Sequence, residues 1–193
     1  MSISEKKEQL KSICAYEEKV YFGDKGITSD HRFRKPFKYE MLRYLQIVRR
    51  LEFLIAAAEE TKNPLIKKKY VFEIKLCDRR KNKLGLLLGV EIPPSRIGKG
   101  VRVYHPNVTL NGYAGEDCVF HGNNVLGNKR TGAVNEVPRL GNRVDVGTGA
   151  MIIGDVTIAD DCVIGAGAVV TKSFTVPGTV IAGVPAKEIG KNK

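Results

Sequence analysis

Between Leu140 and Val170 an aliphatic residue stands at every sixth position: Leu140, Val146, Ile152, Ile158, Ile164 and Val170. An amphipathic helix repeats about every 3.6 residues and a half-buried strand about every two, so neither accounts for this period. Four residues after each of the first five come Val144, Ala150, Val156, Cys162 and Ala168, all apolar and small to medium in size. Gly141, Gly147 and Gly165 supply permissive backbone near corners. Such a hexapeptide repeat predicts stacked coils that bury the periodic aliphatics in one core, each coil supported mainly by its neighbours. The pattern is less perfect at Ile97 and Val103, slips, and resumes at Ala114, Phe120 and Leu126. Between Leu126 and Leu140 the spacing is 14 rather than 12, and the polar, glycine-containing run over 127–139 is expected to leave the coil as an extended loop.

Residues 1–90 read differently. Met41, Leu45, Val48, Leu51 and Ile55 fall on one face of a helix expected over Tyr39 to Glu60 and ended by Asn63-Pro64. A more basic helix is expected from Leu65 to Asn82, with Gly85 near its stop. The stretch Tyr21 to Lys35 reads as a loop, and His31 within it as incidental. This half holds 21 Lys and Arg against 12 Asp and Glu, whereas residues 91–193 hold 11 against 9. A basic half reads first as a solvated helical face, with peripheral contact to an anionic membrane as the functional alternative. Nucleic acid is not an expected partner, because Lys67-Lys68-Lys69 and Arg79-Arg80-Lys81 lack interleaved aromatics. No apolar run approaches the roughly 20 residues of a membrane span, and the start carries no signal-peptide pattern, so a cytoplasmic location is expected. Cys14, Cys77, Cys118 and Cys162 show no metal-ligand spacing and read as reduced packing thiols.

The stretches GVEIPPSRIGKGVRVYHP, FHGNNVLGN, VGTGAMIIGDVTIADDCVIGAGAVV and VIAGVPAKEIG resemble the serine acetyltransferase-like branch of the hexapeptide acyltransferases, especially O-acetyltransferases of capsule and exopolysaccharide synthesis. That resemblance covers about half of the chain. It implies a mainly β fold, a left-handed parallel β-helix over 91–193 preceded by a small α-helical region over 1–90. It also implies a homotrimer with acetyl-CoA, the acyl donor, between subunits. No metal is expected. His105 aligns with the family's catalytic histidine and would take the proton of the acceptor hydroxyl, a task suited to imidazole near neutral pH. Glu91 lies near where the family carries the carboxylate that orients that ring, one residue off in spacing. His121 follows an inward Phe120 and should point outward, to contact the acceptor or to act as the base itself. Asn128, Thr148 and Ala166 match backbone contacts to the donor's pantetheine arm, and Lys172 and Lys187 are the basic candidates for its phosphates. An N–H near Gly127 or Asn128 would meet the thioester oxyanion.

Two departures bear on the acceptor. Serine acetyltransferases carry a histidine ahead of the loop proline to hold the amino acid's carboxylate, and Val137 precedes Pro138 here; they carry an aspartate before the catalytic histidine, and Tyr104 stands here. The resemblance therefore implies a sugar hydroxyl of a surface polysaccharide or its precursor as acceptor, with serine as the alternative. Direct transfer is expected, since no nucleophile motif is visible. A γ-type carbonic anhydrase would need three protein ligands on zinc, and a noncatalytic scaffold would tolerate loss of His105.

Overall fold

The computed structural model describes residues 2–133 and 135–192, and the chain divides into two compact units, 1–88 and 89–193.

The first unit is helical. Helix α1 (Ile3–Phe22) starts at a capping box in which Ser2 and Glu5 satisfy each other's backbone N–H groups. Residues Tyr21 to Lys35 are not a loop throughout: α1 runs through Phe22, a single 3-10 turn follows, and α2 spans Ser29–Arg34. Thr28 caps α2, and its N–H donates to His31 Nδ1 at 3.1 Å, so His31 has a capping task. Helix α3 (Phe37–Glu60) buries Met41, Leu45, Val48 and Leu51 as the spacing predicts, with Ile55 only partly covered. Leu51, Leu54 and Cys77 form a core with Ile47, Phe53, Tyr70 and Ile74 between α3 and helix α4 (Pro64–Leu88). Helix α4 continues past Asn82 and a buried Gly85, and the left-handed residue that follows it is Gly89 (φ 65°). Asn63 caps α4 through its Oδ1, which accepts from Leu65 N at 2.9 Å, with Pro64 in the first turn where no N–H is needed. Asn63→Ala is expected to cost about 1 kcal/mol, measured by thermal unfolding of the full chain. Among the described residues no helix is long and apolar enough to cross a membrane.

The second unit is a three-sided parallel β-helix. Sheet A joins β1 (Val90–Glu91), β3 (Val108–Leu110), β6 (Asn124–Gly127), β9 (Met151–Ile153) and β12 (Val169–Val170). Sheet B joins β4 (Tyr113–Ala114), β7 (Arg139–Leu140) and β10 (Thr157–Ile158). Sheet C joins β2 (Arg102–Val103), β5 (Val119–Phe120), β8 (Asp145–Val146), β11 (Val163–Ile164) and β13 (Thr179–Gly183), closed by the antiparallel β14 (Ala186–Lys191). All six period-six aliphatics are buried, none more than 5% exposed, and the five residues four positions after them no more than 2%. Fully burying each such Leu, Ile or Val contributes about 1.5–3 kcal/mol.

Two columns of left-handed residues turn the corners. Gly89, Asn107, Asn123, Gly149 and Gly167 precede the strands of sheet A, and Gly100, Asp117, Arg143, Asp161 and Gly178 precede those of sheet C. Asn and Asp tolerate this conformation better than other side chains. Arg143 is held in it by Asp161, whose carboxylate accepts from Nε at 2.6 Å and Nη2 at 2.8 Å. Leu126 and Leu140 pair with Ile152 and Ile158, which are six residues apart, so the loop between β6 and β7 inserts eight residues, not the two implied by a spacing of 14 against 12. The loop proper covers 128–138, of which Val134 lies outside the described residues.

Candidate active site

Both histidines of the β-helix stand where sheet C hands over to sheet A. Phe120 and Val146 are in register and fully buried, so His121, Asp145 and Gly147 lie on the outer side of sheet C. Gly147 stands opposite His121, and Asp145 is the diagonal neighbour. Nε2 of His121 lies 2.9 Å from Oδ1 of Asp145. On the other side of His121, Tyr104 brings its ring centroid to 5.4 Å from the imidazole, tilted by 47°. The side chains of His121 and Asp145 are 38% and 44% exposed, open enough for a substrate to reach them.

His105 occupies the exposed corner between β2 and β3. Gly122, at φ 110°, packs directly against it, and a Cβ there would lie 2.6 Å from His105 Cβ. A fully buried Asn124 fixes this corner: its Oδ1 accepts from Gly122 N at 2.9 Å and its Nδ2 donates to Gly147 O at 2.8 Å. Such a satisfied buried amide rigidifies its surroundings.

The pairing expected between Glu91 and His105 is not formed. Glu91 is exposed on sheet A opposite Thr109, and among the described residues no hydrogen bond or ion pair joins a carboxylate to His105. A strand residue projects from its sheet, not toward the corner one coil on, which separates the two. The carboxylate that meets a histidine is Asp145, which the sequence reading did not single out.

The residues expected to hold the donor fall in three places. Thr148 and Ala166 follow Val146 and Ile164 by two positions, as Gly122 follows Phe120 and His105 follows Val103, so these four share one corner column. There Gly149 N donates to Gly122 O at 3.0 Å and Gly167 N to Thr148 O at 2.9 Å, and small side chains leave much of the main chain open. Asn128 and Lys172 each follow an inward residue of sheet A by two positions, so they share the opposite corner, with Gly154 between them. Asn128 Oδ1 accepts from Asn111 Nδ2 at 2.6 Å, and Lys172 Nζ sits 5.4 Å from the Phe174 ring centroid. Lys187 is exposed in β14, opposite Ala182.

Val137 is 2% exposed inside the loop, and Pro138 O accepts from Tyr113 N at 2.8 Å. Burial pushes the Cys118 thiol up to about 11, so it stays protonated at neutral pH and donates to Gly141 O at 3.1 Å. Among the described residues no group of three or more His, Cys, Asp or Glu is placed to hold a metal.

Residues 138–172 match the family described as bacterial transferase hexapeptide (six repeats). The serine acetyltransferase of Mycobacterium tuberculosis is 35% identical over 113 residues, 56% of this chain and 48% of that protein, so the chain spans about half the length of that relative. The fold resembles that of Brucella abortus serine acetyltransferase in complex with coenzyme A, with a TM-score of 0.73 at 19% identity, over 99% of this chain and 72% of that one. It also resembles Neisseria gonorrhoeae serine acetyltransferase in complex with serine, with a TM-score of 0.67 at 22% identity, over 95% of this chain and 70% of that one. Residues 138–172 of the β-helix thus match the bacterial transferase hexapeptide repeat, and the chain is similar in sequence over about half its length, and in fold, to serine acetyltransferases.

Proposed function

We propose that the chain is an acetyl-CoA-dependent O-acetyltransferase that passes the acetyl group directly from the thioester to a hydroxyl, with a histidine taking the hydroxyl's proton. The observation that carries this reading is the convergence of His105, His121 and the open backbone column of Thr148 and Ala166 at one corner of the β-helix. The fold shared with a serine acetyltransferase bound to coenzyme A supports the donor. Donor candidates on two opposite corners, Thr148 and Ala166 on one and Asn128 and Lys172 on the other, suit a coenzyme lying between copies, in keeping with a trimer. The protonated Cys118 favours direct transfer over an acyl-enzyme.

L-Serine is the acceptor that the similar proteins support, one of them solved with serine bound. A sugar hydroxyl is the second reading, favoured by one observation: Val137, buried and apolar, offers no partner for an amino acid's carboxylate. Coenzyme A release, with mass spectrometry of products from L-serine, free sugars and polysaccharides, decides between them. Serine-dependent release is the expected result. Release with sugars alone would replace serine by the second reading, and release with no acceptor would overturn the proposal.

A further inference from the structure

We propose that His121 is the general base of this site and that Asp145 is its positioning residue. The inference rests on the acetyl-transfer reading above and adds to it which histidine works and what holds it.

Three observations converge. Only His121 has a carboxylate partner, with Nε2 2.9 Å from Asp145 Oδ1, whereas among the described residues none reaches His105. A ring whose Nε2–H donates to a carboxylate is fixed in one tautomer and orientation, and the carboxylate stabilises the imidazolium formed when Nδ1 accepts a proton. The pair sits on rigid strand ends, with Phe120 and Val146 buried directly beside it. Tyr104 closes one side of the imidazole, while the His121 side chain stays 38% exposed, which restricts the ring and keeps an approach for the acceptor.

The step balances without a further reactant. Nδ1 of His121 takes the hydroxyl proton as the acceptor oxygen bonds to the thioester carbonyl carbon. The tetrahedral intermediate collapses with cleavage of the carbon–sulfur bond, and the imidazolium returns the proton to the departing thiolate, giving an acetyl ester and free coenzyme A.

The test uses the full chain and the acceptor found in the panel above. His121→Ala is expected to lower kcat by about 10²–10⁴-fold, the usual contribution of a positioned base. Added imidazole should restore part of the rate in His121→Gly. Asp145→Asn should lower kcat by about 10- to 100-fold while KM for acetyl-CoA stays unchanged, and Asp145→Glu should recover part of that loss. Coenzyme A affinity by calorimetry should be unaltered in all of them, which separates loss of chemistry from loss of fold. A kcat within about threefold of wild type in His121→Ala overturns the inference and leaves the acetyl-transfer reading standing. So does an Asp145→Asn effect confined to KM. A wild-type chain that transfers acetyl to none of the acceptors overturns both.

Discussion

Replacing Arg49 by methionine is expected to destabilise the helical unit by about 3–5 kcal/mol, the largest stability loss of any single substitution proposed for this chain. Glu17 on α1 is fully buried and Arg49 on α3 is 3% exposed. The guanidinium Nε and Nη2 donate to Glu17 Oε1 at 3.0 and 2.8 Å, and its Nη1 donates to both Glu52 oxygens, at 3.3 and 3.2 Å. Removing Arg49 leaves a desolvated carboxylate without its counter-charge, and the cost is that of the stranded ion more than that of the lost hydrogen bonds. The double variant Glu17→Leu with Arg49→Met removes both charges and should therefore regain most of the loss. Urea unfolding followed by far-ultraviolet ellipticity measures each step. A single variant as stable as the wild type would show that water reaches the pair and that α1 does not seal it.

The β-helix was legible because its signal is one-dimensional: each coil meets only its neighbours, so a six-residue period in the chain becomes three buried columns in space, Leu140 with Ile158, Val146 with Ile164 and Ile152 with Val170. The histidine partnership was not legible, because it depends on how many residues the loop inserts. Val119 pairs with Asp145, 26 positions on, only if eight of the residues after Leu126 stand outside the coil. Counting two instead shifts the register and hides that Asp145 lies diagonal to His121. The family resemblance implies a carboxylate at Glu91 beside His105, but spacing along the chain does not say from which side of a strand a carboxylate projects.

The helical unit shows the opposite failure. Gly23, Gly26 and Asp30 read as punctuation, yet Thr28-Ser29-Asp30-His31 is a capping box with histidine in the place of glutamate, and it starts a short helix. Gly85 reads as a stop and is instead buried within α4, where tertiary packing outweighs its low propensity. Corner residues are intermediate: Asn107, Asn123 and Asp161 are types that accept a left-handed backbone, whereas Arg143 is not, and there Asp161 holds its guanidinium.

Gly122→Ala is expected to remove most acetyl transfer while leaving every proposed catalytic side chain in the sequence. The new Cβ would lie 2.6 Å from His105 Cβ and 3.2 Å from the His105 carbonyl carbon and oxygen, so it meets backbone that cannot rotate away. Its φ of 110° adds strain of about 1–3 kcal/mol for an L side chain. Relief must come from the β2–β3 corner or from Gly122 itself, and Gly122 is tied through Asn124 to Gly147, the residue opposite His121. Either movement disturbs the histidine pair by a fraction of an ångström to an ångström, enough to lower kcat by about 10²-fold. Gly178→Ala is the comparison, because Gly178 is also left-handed, at φ 67°, but nothing lies within 4 Å of its Cβ. If both variants lose only stability, and to the same degree, backbone strain alone is at work and the corner does not position the chemistry. Loss of kcat in Gly122→Ala alone, with coenzyme A affinity retained, identifies the contact between Gly122 and His105 as the element that sets the geometry of the site.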